Sequence, residues 1–181
     1  MRWIILGSPL ALMVWLSWPR LIRHVAPITG IALDDRPRSD LLIKAIMADD
    51  ISGVRKLLDA GVSPNSCVRE PDGGRLTLEK AAEGGDVAMV RLLLDRGAEV
   101  NGEDLWGGTA IVDASVRGNA DVVKLLIDRG ADVNIDDDDT SALDYAEYAV
   151  RNPAERGKPS QFKRIVRMLR NAGARHGFSL W

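Results

Sequence analysis

Val123-Lys-Leu-Leu-Ile-Asp-Arg-Gly130-Ala-Asp-Val-Asn134 is the third occurrence of one phrase in a chain of 181 residues. Val54-Arg-Lys-Leu-Leu-Asp-Ala-Gly61-Val-Ser-Pro-Asn65 and Val90-Arg-Leu-Leu-Leu-Asp-Arg-Gly97-Ala-Glu-Val-Asn101 precede it, with the glycines 36 and then 33 residues apart. A period near 33 marks a stacked array, in which no unit buries its apolar face alone and neighbours supply the rest. In the third copy Val122, Val123, Leu125, Leu126 and Ile127 cover most of a short helix, leaving Asp121, Lys124, Asp128 and Arg129 as a narrow polar strip. A helix apolar over so much of its circumference is packed on several sides. Gly97 and Gly130 follow the last apolar turn and suit the left-handed residue that ends a helix.

A second small and apolar segment opens before the later copies: Leu76-Thr-Leu-Glu-Lys-Ala-Ala82 and Thr109-Ala-Ile-Val-Asp-Ala-Ser115. Alanines 81, 82 and 114 permit close helix approach. Each unit therefore reads as two short antiparallel helices and a protruding polar turn.

These residues resemble an ankyrin-repeat protein. Thr109, Ala110, Ile111 and Ala114 match the family's Thr-Pro-Leu-His-x-Ala-Ala opening loosely. Gly118, Val122, Val123, Leu125, Leu126, Ile127, Gly130, Ala131, Asp132, Val133 and Asn134 match its core and close. The family histidine is replaced by Glu79, Val112 and Asp144. The resemblance implies an all-α solenoid of stacked helix-turn-helix units with β-turn or hairpin tips, over residues 40–174. Four units are expected, at about 40–65, 66–101, 102–134 and 135–174. The first has Asp49 where a glycine usually stands and reads as an N-terminal cap. In the fourth, residues 151–160 add two prolines and a glycine between the helices, expected as a loop. That insertion is either a spacer or a recognition element. Residues 175–181 form a tail that either packs on the last helix or stays loose.

Charge is unevenly distributed. Residues 1–39 carry five arginines against Asp34 and Asp35, net +3; residues 40–152 carry 12 basic and 23 acidic groups, net −11. Residues 153–181 carry seven basic groups against Glu155, net +6. Such a gradient bears on partner choice. In the last helix Phe162, Ile165, Val166 and Leu169 form one stripe, with Lys163, Arg164, Arg167 and Arg170 outside it. That basic face reads as a solvated cap or as an attraction for anionic headgroups. Nucleic acid is not expected, because the acidic units repel phosphate.

Trp3 to Trp18 contains no charge. As a helix its 16 residues span about 24 Å, slightly short of a hydrocarbon core of about 30 Å. Three readings stand: an uncleaved single-pass anchor over residues 1–18, a cleaved signal peptide, and a peripheral helix. Arg20 and Arg23 follow the run directly, where a cleavage region is normally small and neutral. The small-x-small site Gly30-Ile-Ala32 lies further on. An anchor followed by a flexible tether, 19–39, is the expectation, with the repeats on the cytoplasmic side because Arg20 and Arg23 outnumber Arg2. The alternative is a secreted or periplasmic soluble protein acting as an inhibitor or accessory factor.

Neither histidine, His24 or His176, lies inside the repeats, and no nucleophile motif, phosphate loop or metal-spaced Cys/His cluster appears. Asp136-Asp-Asp-Asp139 lacks the spaced ligands and distal Glu of a calcium loop. One cysteine, Cys67, makes no internal disulfide. No enzyme activity, cofactor, metal or small-molecule substrate is expected. The partner is expected to be a protein. The resemblance places contacts on turn tips and on the exposed face of each first helix. These positions are Arg75 and Glu83 in the second unit, Glu103, Leu105, Trp106, Val116 and Arg117 in the third, and Asp136, Asp138 and Asp139 in the fourth. Trp106 stands out: an aromatic on a polar, glycine-rich turn either meets a partner or folds down over a neighbouring tip.

Overall fold

A computed structural model describes residues 36–70, 73–104, 106–137, 140–156 and 158–177. The anchor segment 1–18 and most of the expected tether lie outside these residues, as do Leu105, Asp138 and Asp139. Among the described residues no helix is long and apolar enough to cross a membrane.

The first unit pairs α1 (Arg36–Met47) with α2 (Ile51–Asp59). Helix begins at Arg36, inside the expected tether, and Pro37 falls in its first turn, where a missing N–H costs nothing. The second unit opens with a hairpin, β1 (Cys67–Glu70) and β2 (Gly73–Leu76), followed by α3 (Thr77–Gly84) and α4 (Val87–Asp95). The third has only a single bridge, Glu103 to Thr109, before α5 (Ala110–Arg117) and α6 (Ala120–Asp128). The fourth has the short pair β3 (Asp136–Asp137) and β4 (Thr140–Ser141), then α7 (Ala142–Arg151). The insertion is not wholly loop: α8 (Pro153–Arg156) makes one helical turn before α9 (Pro159–Asn171). A proline begins each piece, so the prolines start helices here rather than interrupt one.

First helices α1, α3, α5 and α7 stack in order, and second helices α2, α4, α6 and α9 form the layer behind them. Ala81, Ala82, Ala110 and Ala114 are buried where α3 and α5 meet, as close approach demands. Met89, Val90, Leu92, Leu93, Val122, Val123, Leu125 and Leu126 fill the space between layers, joined by Phe162, Ile165 and Leu169 of α9. Gly118, at φ +75°, ends α5; a Cβ there would also lie 3.0 Å from the Phe162 ring. Asp49 takes the left-handed turn at φ +56° at the position equivalent to Gly85 and Gly118.

The polar letters of the repeated phrase join one unit to the next. Asn65 Oδ1 accepts the Glu99 N–H at 2.8 Å, Asn101 the Asp132 N–H at 2.8 Å, and Asn134 the Arg175 N–H at 2.9 Å. Arg96 pairs with Asp59 of the preceding unit at 2.6 Å and Arg129 with Asp95 at 2.9 Å. Asn119 donates to the Ala82 and Glu83 carbonyls at 2.9 and 3.0 Å, tying the start of α6 to the end of α3.

The first tail residues, 175–177, follow the same rule, while 178–181 lie outside the described residues. Arg175 takes the ladder position of Asp132, and the Gly177 N–H donates to Asp144 Oδ2 at 2.8 Å. His176 Nδ1 lies 2.5 Å from Asp144 Oδ1. Residues 175–177 thus cover the end of the stack as a further unit would.

Candidate functional site

Aligning the first three units on the left-handed residues Asp49, Gly85 and Gly118, and the last three on the N-caps Leu76, Thr109 and Ser141, puts Lys44, Lys80, Asp113 and Tyr145 in one row of the first-helix face. Met47, Glu83, Val116 and Tyr148 form the next row. Stacking of α1, α3, α5 and α7 sets these two rows side by side across all four units. Met47 is 64% exposed and Tyr148 44% exposed, whereas Glu83 and Val116 are half-buried between them. The surface is therefore apolar at both ends and ionic in the middle.

Glu83 is the ionic centre. Lys80 Nζ lies 3.1 Å from its carboxylate and Arg75 Nη1 3.3 Å away, while Arg117 Nη2 closes on the other oxygen. Arg75 also reaches Asp113 at 3.4 Å. Burial alone would push the Glu83 carboxyl up, but hydrogen bonds and charge from Lys80 and Arg117 hold it below its ordinary value. Beside it opens a cleft lined by Ile46, Met47, Asp49, Lys80, Met89 and Arg117.

Of the residues picked from sequence, Arg75, Glu83 and Arg117 converge in this cluster, and Val116 borders it. Glu103 stays at the base of the third turn, bridged to Thr109. Trp106 is 62% exposed, on a turn tied by Asp104, whose carboxylate accepts the Trp106 and Gly108 N–H groups at 2.8 Å each. Asp136 lies in β3 and pairs with Ser141 across the hairpin, apart from the Glu83 cluster in the chain's order of units. Met47 and Tyr148 are missing from the sequence reading, although register equivalence to Glu83 and Val116 is a signal that finds them; Lys80, Asp113 and Tyr145 lie three residues earlier on the same helices.

Glu79, at the family histidine's position, is 1% exposed. One carboxyl oxygen accepts the Leu76 N–H at 3.1 Å and the other has no hydrogen-bond partner. Burial, with the charge of Asp104 added, pushes its pKa up to about 9, so the side chain is a neutral acid at neutral pH. It does not line the cleft. The equivalent Asp144 behaves oppositely. Burial pushes it up, but hydrogen bonds from Ser141, His176 and Gly177 outweigh that and hold it down at about 2. Among the described residues no group of three or more His, Cys, Asp or Glu is placed to hold a metal ion.

Stacked helix pairs, hairpin tips and an open first-helix face define a repeat-type binding protein. A family model described as "Ankyrin repeats (3 copies)" matches residues 42–137 and 78–175, and the chain belongs to that family, whose repeats mediate protein–protein interaction. The chain is 45% identical over 65 residues to "Serine/threonine-protein kinase 12" of Arabidopsis thaliana, a match covering 36% of this chain and 14% of that protein. It is 38% identical over 81 residues to "Ankyrin repeat, SAM and basic leucine zipper domain-containing protein 1" of Dasypus novemcinctus, covering 45% and 16%. The aligned region is thus a small part of either relative.

Proposed function

We propose that this protein is a membrane-tethered ankyrin-repeat adaptor that binds a protein partner through its first-helix face and turn tips. One observation carries the binding surface: exposed Met47 and Tyr148 occupy equivalent positions on either side of the Arg75–Glu83–Arg117 cluster. Apolar anchors beside satisfied charges are the usual make-up of a protein contact, with energy concentrated in a few large side chains. Trp106 extends the surface onto the third turn. The uncharged run from Trp3 to Trp18 supports the tether.

The binding reading is tested by partner isolation under native conditions and then by affinity with purified components. Met47→Ala plus Tyr148→Ala weakens binding by about 30-fold or more, matching a hot-spot loss of about 2 kcal/mol. Unchanged affinity in the folded double variant rejects this face. The tether is tested by sequencing the mature N-terminus and by protease protection in intact cells. A mature chain beginning near Leu33 would replace the anchor with a cleaved signal, and external digestion of the repeats would reverse the cytoplasmic orientation.

A further inference from the structure

The layer of second helices carries cations in register. Arg55, Arg91, Lys124 and Arg167 occupy the same position in α2, α4, α6 and α9, and all four are exposed. Helices in contact lie about 8–10 Å apart, so the four cations form a row with one charge per unit. Lys124 is tied to Asp128 at 2.6 Å, but Arg55, Arg91 and Arg167 have no ion-pair partner among the described residues. The acids nearest the row are already used: Asp59 and Asp95 pair with Arg96 and Arg129 of the following unit.

At the end of the row α9 contains no acidic residue. Its Arg164 and Arg170 pair with Asp121 and Glu147, at 2.8 and 2.7 Å. Lys163, one turn before Arg167, is exposed and has no ion-pair partner among the described residues. Acidic residues also stand on the turns, in Glu99, Glu103, Asp104, Asp132, Asp136 and Asp137. The second-helix layer thus presents one exposed cation per unit and is most basic at α9, while the turns are acidic.

We infer that the second-helix row Arg55–Arg91–Lys124–Arg167, with Lys163, docks on the anionic surface of a lipid bilayer. Evenly spaced cations without a groove suit a broad sheet of headgroups rather than a shaped ligand. Phe162 is the one aromatic among α2, α4, α6 and α9 and is buried, so the row offers no base-stacking platform. The acidic tips oppose a long polyanion. Chain connectivity adds a second argument, which rests on the tether proposed above. Residues 19–35 separate the uncharged run from α1 and reach at most about 60 Å, which keeps the row near any bilayer holding that run. An apolar anchor and a basic patch then act as two signals on one surface.

The test uses the full chain with nanodiscs of phosphatidylcholine, alone or with roughly one third phosphatidylserine. Lysine acylation reads Lys163 on the row against Lys44 on the first-helix face. On anionic discs Lys163 reacts about 5-fold more slowly or less, Lys44 is unchanged, and the protection disappears at about 1 M salt, where the Debye length is about 3 Å. Arg55→Gln plus Arg91→Gln plus Arg167→Gln removes the protection without changing the melting temperature. Should that triple variant melt early, Arg167→Gln alone is read for a partial loss. Equal Lys163 reactivity on neutral and anionic discs overturns the docking, as does protection that survives the substitutions in folded protein. Incorporation into neutral discs is scored separately. Its failure removes the tether, while anion-dependent protection, present or absent, still decides the row.

Discussion

Asn101 accepts the backbone N–H of Asp132 through Oδ1 at 2.8 Å, joining the close of the second unit to the close of the third. The same bond recurs at Asn65 and Asn134, so the last letter of the repeated phrase is a rung linking successive turns. Asn101→Ala leaves this exposed N–H to water and lowers stability by about 0.5–1.5 kcal/mol. Amide exchange at Asp132 accelerates more than at Leu125 in the same unit. An unchanged exchange rate at Asp132 would mean that the rung adds nothing to solvent.

Glu79 gives the array a pH dependence on the alkaline side. Its folded pKa of about 9 lies above the ordinary 4.5, so the unfolded chain ionises first as pH rises. The contribution of Glu79 is therefore full below about pH 4.5, falls between there and pH 9 by at most about 1.4 kcal/mol per pH unit, and levels off beyond. Glu79→Gln keeps the acceptor for the Leu76 N–H and removes the ionisation. Thermal melts of parent and variant coincide near pH 4.5 and diverge in the variant's favour toward pH 9. Parallel melting curves over that range would show that Glu79 ionises freely in the fold.

Asp144 acts on the acid side. Its folded pKa of about 2 lies below 3.8, so its contribution is present above about pH 4 and is lost as pH falls toward 2. The loss amounts to about 2 kcal/mol. Asp144→Asn flattens that acid limb and frees residues 175–177, seen as faster exchange at the Gly177 amide. Unaltered protection of Gly177 would show that the Asn134 rung alone holds the tail.

Leu125→Ala removes a buried side chain between the two helix layers and costs about 2–5 kcal/mol. Adjacent Lys124 is exposed, and Lys124→Ala stays within about 0.5 kcal/mol. In the Leu125 variant, exchange protection drops in α4 and α9 as well as in α6, because units are stabilised through shared interfaces. A loss confined to α6 would mean that the units open independently. Equal destabilisation by the two substitutions would overturn the register.

The repeat family, the helix pairs and many of the buried positions were legible in the chain itself. Val122, Val123, Leu125 and Leu126 are buried as their spacing requires, because helical periodicity is a local property of three or four neighbouring residues. Gly97 and Gly130 likewise show the left-handed backbone expected after each helix. Only the stacked structure decided which polar groups meet. Glu83 gathers Arg75 from eight residues before it and Arg117 from 34 residues after, a meeting set by the packing of α3 beside α5. Glu79 and Asp144 share one repeat position, yet one is a neutral buried acid and the other a strong one. Sequence register could not separate them, because the difference comes from what lies against each: an unpartnered interior at Glu79, and the hydrogen-bond donors of the returning tail at Asp144.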